Sequence, residues 1–402
     1  MASGNSVQVA RLVATKMLKY FDNDTERGLI KYSNRQISEE MVSAKGQEIT
    51  YNTPPHYTVQ NGPELSSIQA VTTGKKVVKL NKWATVAVSL DGIDRALSQN
   101  AFSDWADMFL QPAAAKIMNQ IEGDIGLLAN TIGNCVGTAG SVPSTPSVFT
   151  SAWQTMVYNS APQNELFCAV TPEVITSMVG GSTTIFNPQQ ETRELVTRGI
   201  LYDIAGLKMF NTVNLPVHTM GTFTGTPKVN GANQTGATLV TNTWVSADKC
   251  TAGTRFTLPG VYTVNQASGK VTPILQVFVA TADATADAGG NMTIPIYPAI
   301  ITQGANATVS TSPTTGNSLT IVGGASASTH SKNIAFYKNA LGLITAKAVP
   351  PSGLKSTTVS KNGMSLTVCH GPDIMSYKDI WRIDIPYDVF CYYPDQCCVI
   401  TN

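Results

Sequence analysis

Charge is what this chain has least of: Asp, Glu, Lys and Arg make up 13% of its 402 residues, where a soluble monomer carries about 25%. So sparse a charged surface implies that other subunits cover much of it. Twenty-seven basic residues against 26 acidic ones leave a net charge of +1, which excludes a tight, salt-dependent grip on nucleic acid but allows loose contact. Only four histidines occur, His56, His218, His330 and His370, and none has a metal-ligand spacing to another His, Cys or carboxylate. His370-Gly-Pro-Asp373 reads as a turn, not a catalytic pair. The seven cysteines are odd in number with no Cys-x-x-Cys pair, so they are expected to be reduced thiols, with Cys397 and Cys398 alternating along a strand. No P-loop, dinucleotide fingerprint or nucleophile elbow is present, the Gly-Gly-Ser-Thr-Thr at Gly180 included. No apolar run approaches the roughly 18 residues of a membrane span, and the N-terminal sequence lacks the pattern of an export signal. Nothing here supports an enzyme, a cofactor or a membrane partner.

Helical periodicity is there, and it is strongest from Asp107 to Asn130. Leu110, Ala114, Ile117, Ile121, Ile125 and Leu128 recur at intervals of three and four, which sets one apolar face; Lys116, Asn119, Gln120, Glu122 and Asp124 project elsewhere. Pro112 suits the first turn of this helix and Gly133 stops it. Gly123 and Gly126 each weaken it by about 1 kcal/mol relative to Ala, so packing must hold it.

Around that helix the pattern is α+β without a βαβ repeat. Residues 7–21 form an amphipathic helix ending at Asp22-Asn23-Asp24, and a run of mixed charge follows through Glu26, Arg27 and Lys31 to Glu40. That run is either a solvated face or an arm docking on a neighbour. QEITYNTP reads as a strand and VVKLNKWATVAVSL as its return, with a polar excursion from His56 to Lys76 between them that needs a surface to lie upon. Lys75, Lys76, Lys79 and Lys82 cluster at the return, either as guards of an edge strand or facing acidic neighbours. SAWQTMVYNSA and PEVITSMVG read as helices, LFCAVTP as a buried strand, and GILYDIAGLKMFNTVNLP as two short strands around Gly206. From about Thr219 to Gly323 short alternating runs dominate (ATLVT, TRFTL, GVYTVN, TPILQVFVATA, NMTIPIY, LTIVG), which implies a small all-β barrel or sandwich set into another domain. The tail from Met364 gives three alternating strands that close the sheet behind the helix.

The order of these pieces resembles the major capsid (coat) proteins of tailed bacteriophages with the Hong Kong 97-like fold, in particular the short-tailed (podovirus) branch with an inserted β-barrel. The resemblance rests on GILYDIAGLKMFNTVNLP, AGTRFTLPGVYTVN, ATADATADAGGNMTI, NIAFYKNALGLITAKAVPP and WRIDIPYDVFCYYPD. It implies an N-terminal arm (1–45), an extended β-hairpin loop (46–90), a spine helix with peripheral domain (91–135), an axial α/β domain (136–218), an inserted β-barrel (219–328) and return strands (329–402). It also implies a homo-oligomeric icosahedral shell of pentamers and hexamers in the virion, assembled in the host cytoplasm. Scaffolding protein, portal protein and weakly held double-stranded DNA are the expected partners. Lys75, Lys76, Lys79, Lys82, Asp22, Asp24 and Glu26 are the candidate inter-subunit residues. An encapsulin-type cellular shell and a β-rich surface-binding protein are the alternatives.

Overall fold

The computed structural model describes residues 13–20, 28–42, 47–53, 57, 74–90, 110–181, 203–350, 354–373, 375 and 378–402. The chain divides into two compact units, the first from Met1–Thr53, Lys75–Ile125 and Leu341–Phe390, the second from Pro54–Gly74, Gly126–Ala340 and Cys391–Asn402.

In the first unit the expected apolar stripe becomes a helix, Gln111–Leu127. Leu110, Ala114, Ile117, Ile121 and Ile125 are all buried, as the three-four spacing requires. Glu122 departs from expectation: it is buried, and its carboxylate accepts the Leu29 N–H at 2.9 Å. Gly28 (φ +60°) makes this possible, because a Cβ there would meet the Glu122 carboxylate at 1.8 Å. The sheet of this unit runs in the order Asn34–Val42, Leu341–Ala348, Lys378–Cys391, Met364–Asp373, Lys355–Lys361, with Lys82–Leu90 also on Lys378–Cys391. Three differences from the sequence reading stand out. Asn34–Val42, placed in the arm, is a strand parallel to Leu341–Ala348. VVKLNKWATVAVSL is two strands, because Gly74–Leu80 pairs with Gln47–Thr53 while Lys82–Leu90 pairs with Lys378–Cys391. His370 and Asp373 lie in the strand Met364–Asp373, not in a turn, and His370 pairs across the ladder with Trp381, ring centroids 4.3 Å apart.

The second unit contains a mixed sheet in the order Cys135–Val136, Cys397–Thr401, Thr329–Tyr337, Leu166–Val170, Leu207–Asn211, with Val217–Thr219 also on Thr329–Tyr337. The last strand of the chain therefore belongs to this sheet, while the two tail strands before it belong to the first unit. Helices Ser147–Tyr158 and Pro172–Gly181 cover one face, burying Phe149, Ala152, Met156, Val174 and Met178 against Leu166, Cys168, Val170, Ala335, Cys398 and Ile400.

Residues 228–322 build a second, separate core. Their sheet runs Thr320–Val322, Arg255–Val264, Val271–Ala280, Met292–Ile300, Gly236–Asn242, Lys228–Val229. Its two ends meet: Val229 N–H donates to the Asn317 carbonyl at 2.9 Å and Leu319 N–H to the Pro227 carbonyl at 3.0 Å. Inside lie Leu239, Phe256, Leu258, Phe278, Ile294, Ile296 and Val309, with Phe256 and Phe278 stacked at 5.9 Å. TRFTL and GVYTVN, read as separate runs, are one strand.

The two helix glycines have different reasons. A Cβ at Gly126 would stand 2.8 Å from the Asn214 carbonyl oxygen and 3.2 Å from Pro216 Cδ, whereas one at Gly123 meets nothing within 4 Å. Gly126→Ala should therefore destabilise by about 1–3 kcal/mol through overpacking against backbone. Gly123→Ala should stabilise by about 0.5–1 kcal/mol through helix propensity. Urea denaturation of each single variant reads both signs.

Candidate subunit-contact residues and a buried basic cluster

Four lysines cluster in the sequence at the return of the polar excursion, the flap of the extended loop. Lys75 and Lys76 fall on the strand Gly74–Leu80, but their side chains lie outside the described residues. Lys79 pairs with Glu48 across the two-stranded ribbon at 2.7 Å, both side chains more than half exposed. The Glu48 carboxylate, by hydrogen bond and by charge, raises the Lys79 pKa. Such a solvated pair fixes register more than it stabilises. Lys82 turns inward, 3.1 Å from Asp124 of the long helix. Asp124 also accepts from the hydroxyl of the fully buried Tyr387 at 2.6 Å, which ties the helix to the strand Lys378–Cys391. Burial and the Asp124 carboxylate hold the Tyr387 hydroxyl protonated, its pKa pushed upward. Asp22, Asp24 and Glu26 lie outside the described residues, as does His56.

The strongest polar concentration is one that sequence reasoning missed. The helix ends in a 3-10 turn, Leu128–Thr131, and a helix end presents carbonyls with no partner of their own and a partial negative charge. Arg255, 1% exposed, supplies the partners: Nε donates to the Ile132 carbonyl at 3.1 Å, Nη2 to Ile132 at 2.9 Å and to Ala129, and Nη1 to the Gly253 carbonyl at 3.2 Å. Lys332, also fully buried, reaches the same place, its Nζ donating to Asn130 Oδ1 at 2.8 Å and to the Gly253 carbonyl at 3.2 Å. Beside it His218 and His330 pair across adjacent strands, rings 5.4 Å apart, with His218 Nε2 and His330 Nδ1 buried and without a hydrogen bond. Burial first, then the neighbouring cations, lowers Lys332 to about 6, His330 to about 4 and His218 to about 3, and burial lowers Arg255 as well. Arg255 is the single arginine between Thr219 and Gly323, and that isolation was the one sign available in the sequence.

The seven cysteines are free and buried, and burial pushes Cys168 up to about 12 and Cys250 to about 11, so these two stay thiols at neutral pH. Among the described residues no group of three or more His, Cys, Asp or Glu is placed to hold a metal, and no helix is long and apolar enough to cross a membrane.

The chain matches the family model described as P22 coat protein, gene protein 5, over residues 1–400. Among solved structures it is similar to the capsid of the cyanophage P-SCSP1u (12% identity, 92% of this chain and 87% of that chain, TM-score 0.44). It is also similar to the mature capsid of bacteriophage PhiM1 (9%, 92% and 85%, 0.44) and to a chain of Mycobacterium phage Che8 (12%, 89% and 85%, 0.43). No curated protein matches it.

Proposed function

The chain belongs to the P22 coat protein family and is a major capsid protein of the virion, and from this premise we propose how it builds its shell. Pentamers and hexamers of this one chain close into an icosahedral head of a short-tailed phage. Assembly passes through a procapsid formed on a scaffolding protein, with a portal at one vertex, in the host cytoplasm. The shell then expands as double-stranded DNA is packaged. The observation that carries the reading is the family match over residues 1–400. Composition supports it: with 13% charged residues and a net charge of +1, the surface suits burial between copies and an inner wall that touches DNA without gripping it.

In this reading the fold is Hong Kong 97-like and residues 219–328 are an inserted β-barrel. Two features support the insertion. Thr219 and Thr329 are directly paired on adjacent antiparallel strands, so the chain leaves and re-enters at one point, as a tolerated insertion requires. The residues between them close their own sheet around their own core. The ribbon Gln47–Thr53 with Gly74–Leu80 carries the extended loop across a neighbouring subunit, with Lys75, Lys76 and Lys79 available to that contact, and the arm with Asp22, Asp24 and Glu26 docks on a neighbour or on scaffold. Lys82 serves the subunit's own helix through Asp124.

Scaffold dependence is read by sedimentation of the chain expressed with and without its phage's scaffolding protein. Closed particles of one size are expected only in its presence, and identical particles from the chain alone would remove scaffold from the account.

A further inference from the structure

The cluster at the end of the long helix holds two basic head groups that converge on one carbonyl. Arg255 Nη1 and Lys332 Nζ each donate to the Gly253 oxygen at 3.2 Å, and the remaining partners of both are neutral, the Asn130 amide oxygen and the carbonyls of Ala129 and Ile132. The titratable groups facing Lys332 are Arg255 on Arg255–Val264, Cys135 on Cys135–Val136, His218 on Val217–Thr219, and His330 on its own strand; Cys398 stands near Arg255. Among the described residues no carboxylate joins them. A guanidinium stays charged at any ordinary pH, so the group that can give up its proton here is the lysine.

We propose that Lys332 is a proton-operated latch on the C-terminal turn of the long helix. As a neutral amine it sits beside Arg255 and leaves the guanidinium free to hold the carbonyls of Ala129 and Ile132. Taking up one proton, from –NH2 to –NH3+, places a second full charge in the same dry cage, and Coulomb repulsion at low dielectric loosens the cap. The lowered Lys332 pKa, about 6, puts the change within reach of mild acid, while His330 and His218, at about 4 and 3, stay neutral until the pH is far lower. The sign follows from linkage. An unfolded lysine keeps its proton up to about pH 10.5, so the cost of folding around Lys332 grows as pH falls from there, and is complete below about 6. The latch is a property of the subunit and does not depend on the shell.

Amide hydrogen exchange on the full-length chain, corrected for the intrinsic pH dependence of exchange, tests it. Between pH 8 and pH 5 protection of residues 128–134 should fall at least about ten-fold in the wild type, while that of the paired Val368 and Ile383, in the sheet of the first unit, stays level. Lys332→Met should abolish the change. Lys332→Arg, charged at every pH, should show at pH 8 the weak protection the wild type shows at pH 5. Equal wild-type protection at both pH values, an unaltered change in Lys332→Met, or wild-type protection in Lys332→Arg at pH 8 would each overturn the latch.

Discussion

Replacing Arg255 with Ala is expected to cost about 3–5 kcal/mol. The guanidinium makes four hydrogen bonds to three buried carbonyls, those of Ala129, Ile132 and Gly253, and the side chain is 1% exposed. Water does not replace the lost donors, so the carbonyls of Ala129 and Ile132 are stranded at the negative end of the helix and a cavity opens beside them. Urea denaturation of the unassembled chain should show the midpoint falling with the slope unchanged. Arg255→Lys keeps the charge but not the fork and should recover only part of the loss. A drop below about 1 kcal/mol for the alanine variant would mean that the cap is ornamental.

Deleting Pro54 to Thr73 should abolish shells without unfolding the subunit. Among the described residues the ribbon Gln47–Thr53 with Gly74–Leu80 is two strands wide. A two-stranded ribbon is marginal alone, so in the proposed shell a neighbour completes it. The excursion between the strands lies outside the described residues apart from Tyr57, which is exposed, and its polar sequence offers little to pack on its own subunit. Cooperative melting near the wild-type temperature together with no closed particles is the expected result. Normal particles would show that the excursion has no part in contact between subunits.

Much of this fold was readable because local periodicity and tertiary demand agree. The stripe from Leu110 to Ile125 is buried residue for residue, and the β-rich runs between Thr219 and Gly323 became strands because alternation and Gly/Asn turns need no distant information. What could not be read depends on partners far along the chain. Asn34–Val42 is charged enough to pass for a solvated arm, and only its parallel pairing with Leu341–Ala348 makes it a strand. Asn81 divides one apparent strand into two because its halves have different partners. Glu122 looked like a surface residue until Gly28 left room for it to cap Leu29. The basic cluster is the extreme case, since Arg255 closes a helix end 126 residues earlier in the chain. Of the candidate contact residues, position along the chain told which could reach the flap, but not that Lys82 turns toward Asp124.

The central claim is that copies of this chain close on themselves. Cryo-microscopy of the full-length chain purified after expression with its scaffolding protein measures this directly. The account predicts closed icosahedral shells tiled by pentamers and hexamers of one subunit; a monodisperse monomer at high protein concentration would contradict it.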